Sequence, residues 1–144
     1  MVTEEKTNEK NQFKGRKYIH GIGRRKSASA SAQLYVRGSG KFVVNKHELA
    51  DYFGRQDLID IARASLGVLG SDKSYDVNIS VSGGGSHGQA EAIRLSVARA
   101  LIGHDADARP ALRAAGYVTV DRRVKERKKP GKKRARRSPQ WSKR

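Results

Sequence analysis

The chain has 144 residues, 36% of them hydrophobic, which leaves room for one small domain plus tails but not for two domains. It contains no cysteine, so disulfides, thiolate metal sites and a cysteine nucleophile are excluded, and no apolar run approaches the roughly 18 residues needed to cross a bilayer. The formal net charge of +17 is segregated: residues 121–144 hold 13 Lys or Arg against two acids, residues 14–26 hold six basic residues and no acid, and residues 27–120 hold ten basic and nine acidic residues. A near-neutral middle flanked by basic segments reads as a scaffold presenting arms to a polyanion, RNA above all.

Residues 1–13 are polar and include Glu4, Glu5 and Glu9, which fits neither a secretory signal nor a transit peptide, and they read as a disordered N-terminal extension. The domain is expected over residues 14–120. Near its start Gly21-Ile22-Gly23 reads as a turn whose glycines let the backbone approach a phosphate, with Arg24, Arg25 and Lys26 following directly. The plainer alternative is solvated basic surface. Residues 27–36 alternate strictly, with Ala28, Ala30, Ala32, Leu34 and Val36 on one face, and this predicts a strand buried on one side. Its three alanines leave space for another element to approach. Gly38-Ser39-Gly40 then reads as a tight turn into residues 41–44, giving a hairpin.

Asn45 with Glu48 three positions on has the spacing of a capping box, opening a short helix with Leu49, Tyr52 and Phe53 on one stripe and Gly54 at its end. Residues 55–66 read as a second helix, with Leu58, Ile61, Ala62 and Ser65 on one side. Residues 75–82 alternate again and predict a second long strand. After three glycines, a helix over about residues 86–102 places Ala90, Ile93, Val97 and Leu101 on one face, Arg99 on the other, and Leu95 and Ile102 off the stripe. A last helix over about residues 106–115 has Pro110 near its first turn and Gly116 just past its end. Strands and helices alternate too sparsely for a doubly wound sheet, so the expected class is α+β, a single mixed β-sheet with helices packed on one face.

The segment GGGSHG over residues 83–88 fits two catalytic patterns, G-x-G-x-x-G and G-x-S-x-G. The first needs a further βα unit with an acid closing the next strand, but Asp105 and Asp107 fall between helices. The second would need His104 as the base of Ser86 and a much larger sheet. A glycine turn that starts a helix close to a strand, or a helix N-terminus whose amides meet an RNA phosphate, demands less. The four histidines, His20, His47, His87 and His104, lack the spacing of a metal site, and the acids have the spacing of helix faces and caps. No enzyme activity, cofactor, small-molecule substrate or membrane partner is expected.

Residues 121–144 carry only Val124, Ala135 and Trp141 as nonpolar side chains, and Pro130 and Pro139 interrupt any helix. This segment reads as an extended basic tail that orders on RNA, where counterion release drives binding. Extended at roughly 3.3 Å per residue, about 20 residues reach some 65 Å. Arg side chains can bridge phosphates, Lys adds point charges and Trp141 can stack on a base.

Four pieces in order, GIGRRKSASA from Gly21, VNKHELADYF from Val44, GGGSHGQAEAIRLSVARAL from Gly83 and ERKKPGKKRARRSPQWSKR from Glu126, resemble the bacterial-type ninth protein of the small ribosomal subunit. The resemblance runs from about Tyr18 to Arg144. It implies a split βαβ domain of ribosomal type in the head of the small subunit, bound to ribosomal RNA and neighbouring head proteins in the cytoplasmic ribosome. It also implies a C-terminal tail reaching the peptidyl-site tRNA, where the terminal Ser142, Lys143 and Arg144 make the contact. The rRNA-binding candidates are Arg24, Arg25, Lys26, Gly84, Gly85 and His87 in the domain. In the tail they are Arg122, Arg123, Arg127, Lys128, Lys129, Lys132, Lys133, Arg134, Arg136 and Arg137. A free-standing RNA chaperone is the alternative that the same charge layout allows.

Overall fold

The computed structural model describes Phe13, residues 15–121 and residues 123–143. Nine elements follow in the order β1 (Ile19–Arg25), β2 (Ala28–Val36), β3 (Phe42–Val44), β4 (His47–Glu48), α1 (Leu49–Phe53), α2 (Gln56–Val68), β5 (Tyr75–Ser82), α3 (Ser86–His104) and α4 (Ala108–Ala114). The strands form one mixed sheet in the order β1-β2-β5-β3-β4, antiparallel throughout except for the parallel β3–β5 pair. Helices pack against this sheet, as the α+β reading requires.

The alternation in β2 and β5 sets the core. Ala30, Ala32 and Leu34 lie in register beside Val81, Ile79 and Val77, and these, with Ala28, are buried against Ile93, Val97 and Leu101 of α3. The small side chains have a use, because α3 runs close over β1. A Cβ on Gly21 would sit 2.1 Å from the Ser96 carbonyl oxygen, and one on Gly23 would sit 2.0 Å from that of Ala92. These glycines therefore belong inside β1, paired with Ala32 and Ala30, and their missing side chains admit a helix. The expected turn at residues 21–23 is corrected accordingly, and the phosphate approach it suggested is lost there. The turn comes after β1 ends, at Lys26 (φ 52°) and Ser27.

Two further local readings change. The glycines at residues 38 and 40 do not make a hairpin, since β3 pairs with β5 and never with β2. The connection instead crosses the start of β5, where the buried Asp76 carboxylate accepts from the amides of Ser39 (2.7 Å) and Lys41 (3.1 Å) and from Arg16 Nη1 (2.9 Å). Burial alone would raise the Asp76 pKa, but the Arg16 hydrogen bond and then those from Ser39 and Lys41 outweigh it and hold the carboxyl low. Asn45 is no helix cap either. With Lys46 it forms a two-residue turn between β3 and β4 in which both residues have positive φ, 47° and 72°. Its side chain continues the sheet where β3 stops: Oδ1 accepts from the Val81 amide at 2.9 Å and Nδ2 donates to the Val81 carbonyl at 2.8 Å.

Tyr35 breaks the alternation of β2. It lies on the polar face yet is only 3% exposed, because Phe13 stacks on it at 4.8 Å and the Arg16 guanidinium lies 5.2 Å from its ring centre. Helix α3 is buried on more than one stripe, with the sheet on one side and α2 on another, which brings Leu95 into the interior and leaves Ile102 packed against the core. Arg99, off the apolar stripe as expected, donates to the Ile22 carbonyl of edge strand β1 at 2.8 Å. Helix α4 is shorter than the expected span. Gly116 (φ 76°) follows its C-cap Ala115, with the Tyr117 amide donating to the Leu112 carbonyl at 3.0 Å.

Candidate nucleic-acid interface

Two motifs about 60 residues apart meet at one end of the sheet. Gly83 and Gly84 take positive φ (73° and 65°), and a Cβ on Gly83 would lie 2.5 Å from the Ser27 carbonyl oxygen, one on Gly84 3.0 Å from the Ala28 Cβ. The loop thus packs on the β1–β2 turn, so Lys26 and the start of α3 become neighbours. Packing accounts for Gly83 and Gly84. Gly85 has open space where a Cβ would be and stands as the N-cap of α3, with no side-chain cap bond and no acid in the first turn. The first amides of a helix have no partner within it, and here no side chain of the cap supplies one. His87 is exposed, its Nδ1 3.5 Å from Glu91 Oε2.

The enzyme readings fail on geometry. Ser86 and His104 stand at opposite ends of one helix, about 27 Å apart at 1.5 Å per residue, so His104 cannot activate the Ser86 hydroxyl. Among the described residues, no strand follows α3 to complete a dinucleotide-binding unit. Among the described residues, no group of three His, Asp or Glu side chains is arranged to hold a metal ion.

The three cations of the first basic cluster have different surroundings. Arg24 and Lys26 are exposed. Arg25 is half-enclosed, with Nε donating to Glu91 Oε2 at 2.8 Å and Nη2 lying 3.2 Å from Asp121 Oδ2. Its Nη1 reaches the carbonyls of Asp121 and Arg123, both at 3.4 Å. A cleft of about 220 Å³ opens beside it, lined by Arg24, Glu91, Arg94, Tyr117 and Asp121 among others. Arg94 stands over the Tyr117 ring at 4.5 Å. The root of the tail therefore lies at the same end as the β1–β2 turn and the N-terminus of α3. Sequence reasoning passed over Glu91, Arg94 and Tyr117, since a lone acid or arginine on a helix carries no signal until the tail folds back beside it.

Arg123 turns back on Asp121, donating to both carboxylate oxygens, and these bonds, with the Arg25 charge behind them, hold the Asp121 carboxyl far below the usual range. Residues 123–143 contain no helix or strand and are mostly exposed. Glu126 takes Lys129 Nζ and Arg136 Nε, each at 2.8 Å, and both bonds lower its pKa. Lys132 Nζ donates to Ser138 Oγ at 2.6 Å. Arg127, Lys128, Lys133, Arg134 and Arg137 are exposed, as are Ser142, Lys143 and Trp141, the last at 78%. Arg122 and Arg144, and most of the N-terminal extension, lie outside the described residues.

Residues 23–144 match the family model described as ribosomal protein S9/S16. The chain is also 49% identical over 127 residues to the small ribosomal subunit protein uS9 of two strains of Porphyromonas gingivalis, an overlap covering 88% of this chain and 98% of each relative.

Proposed function

The chain belongs to the ribosomal protein S9/S16 family, as a bacterial-type member, and from that premise we propose that it binds ribosomal RNA in the subunit head and contacts the peptidyl-site tRNA through its tail. It is a structural constituent of the small ribosomal subunit and takes part in translation as part of a ribonucleoprotein. Its working place is the ribosome, which in bacteria is cytoplasmic.

One observation supports the RNA reading above others: the exposed cations Arg24 and Lys26, the uncapped N-terminus of α3 at Gly85 and the root of a strongly basic segment converge on one end of one sheet. Helix amides and guanidinium groups bind phosphate through charge-assisted hydrogen bonds, and exposed lysines release counterions from it. In this reading Arg24, Lys26, Gly85 and His87 take backbone phosphates, while the tail cations from Arg123 to Arg137 follow RNA away from the domain. Gly84 contributes by packing the loop. The tail lacks the apolar area to order alone and takes its bound form on RNA. The role is structural and the protein carries out no catalysis.

The terminal contact has its own test. Deleting residues 142–144 spares assembly, because the domain and the main run of cations are untouched, yet it removes two cations, and each such contact is worth about 1–3 kcal/mol before screening. Small subunits carrying the shortened chain should sediment normally and release peptidyl-site tRNA several-fold faster. Identical release would reduce Lys143 and Arg144 to a solvated terminus. A moderate-salt wash addresses the chaperone alternative: the intact protein stays with small subunits on pelleting, and a chaperone washes off.

A further inference from the structure

We infer that Arg25 is a positioning residue for the basic tail and not a phosphate ligand, the middle cation of the RRK cluster being committed to an internal clamp that fixes where the tail leaves the domain. The inference rests on the RNA-binding reading above and refines it.

The geometry separates Arg25 from its neighbours. Its side chain is 19% exposed, and its donors meet a carboxylate from α3, a carboxylate from the tail root and two tail carbonyls. Those carbonyls belong to Asp121 and Arg123, which flank position 122, so one guanidinium holds the backbone on both sides of that residue. Glu91 is 18% exposed and also lies within 4.0 Å of Arg94, whose guanidinium covers Tyr117 on the approach to the tail. A phosphate would have to displace two carboxylates to reach Arg25. Arg24 and Lys26 present no such barrier.

The planar guanidinium suits this work because its donors point in fixed directions and reach several acceptors together, whereas an ammonium of the same charge is a point donor. Holding the root before RNA arrives removes part of the ordering cost that a loose segment would incur on binding. Loss of the clamp should therefore appear first as motion at the root and second as weaker RNA binding.

The absence of cysteine makes the first readout direct. A spin label on Val124→Cys, at a position 70% exposed, reports the root in the full-length protein without RNA. It is expected to be restricted in the parent chain, and Arg25→Ala should release it to the mobility of a label on Trp141→Cys. Arg25→Lys, which keeps the charge and removes the fork, should release it too, so the result does not depend on how well the alanine variant folds.

The second readout is titration with purified small-subunit ribosomal RNA. Arg25→Ala and Glu91→Gln should each weaken binding about three- to tenfold. The Glu91→Gln variant decides between ligand and clamp, because it raises the net charge from +17 to +18 and frees Arg25. A direct phosphate ligand would then bind more tightly, and a broken clamp more weakly. Tighter binding by Glu91→Gln, or an unchanged label in both Arg25 variants, overturns the inference. If the parent chain fails to bind RNA while the label is still released, the RNA reading falls and the clamp stands.

Discussion

The two ends of helix α3 are built on opposite electrostatic plans. Its N-terminus carries the positive end of the helix dipole, which acids in the first turn ordinarily offset. Helix α2 follows that rule with Asp57, but α3 has no acid in its first turn and stands beside the turn that carries Lys26. Its C-terminus runs through His104 into Asp105 and Asp107, where Asp105 accepts from the Asp107 amide at 2.9 Å and the His104 ring meets Tyr75 edge-on at 5.7 Å. At this acidic end the Asp105 carboxylate meets a backbone amide of its own chain. The basic end keeps amides and cations facing outward, an arrangement costing a few tenths of a kcal/mol per charge that an external anion would reverse.

That contrast can be strained in order of expected effect. If the basic end and tail neutralise about eight phosphates, log affinity against log salt should slope near −6 to −7, a loss of about 10³- to 10⁵-fold between 50 and 200 mM salt. A filter-binding titration of the full chain checks this, and a slope near −1 would remove the RNA interface. Gly23→Val tests the platform holding both ends. Its side chain must enter space taken by the Ala92 carbonyl and Ser96 amide, so denaturant unfolding should show destabilisation by about 3 kcal/mol or more.

Asp76 lies next to Tyr75, at the acidic end. Asp76→Ala strands the Ser39 and Lys41 amides and Arg16 and should cost about 2–4 kcal/mol in the same assay. The pH sign follows from its lowered folded pKa. The Asp76 contribution is fully present above the unfolded value, about 3.9, and is lost as pH falls through the lower folded one. The Tm of the parent chain should therefore drop more steeply below about pH 4 than that of Asp76→Asn. The smallest effects come from single charges: Arg24→Ala and Lys26→Ala should each flatten the RNA salt slope by about one, while Asp105→Asn should leave it unchanged. Equal effects at the two ends would erase the contrast.

Much of this was legible in the sequence because it rests on periodicity and charge. Alternation gave β2 and β5, the apolar stripe gave α3, and Gly116 stands just past the end of α4. What escaped depends on contacts between distant residues. The order of β3 beside β5 is fixed by Asp76 and Asn45, which bind backbone more than 30 positions away. Tyr35 is buried by Phe13 and Arg16, not by its own strand. Gly21 and Gly23 resemble a flexible turn until α3 lies over them. Arg25 was indistinguishable from Arg24 and Lys26 as a letter in RRK, and it is the Glu91 carboxylate of α3 together with the return of Asp121 that separates it from them.

The most direct test of the account uses the two ends of α3 against each other. With no native cysteine to interfere, an iron chelate can be tethered at Ser86→Cys or at Asp105→Cys, about 28 Å apart along the helix, in protein incorporated into small subunits. Hydroxyl radicals generated at each position cleave nearby RNA. Strong ribosomal RNA cleavage is expected from position 86 and weak or no cleavage from position 105. The reverse pattern, or equal cleavage from both, would contradict it.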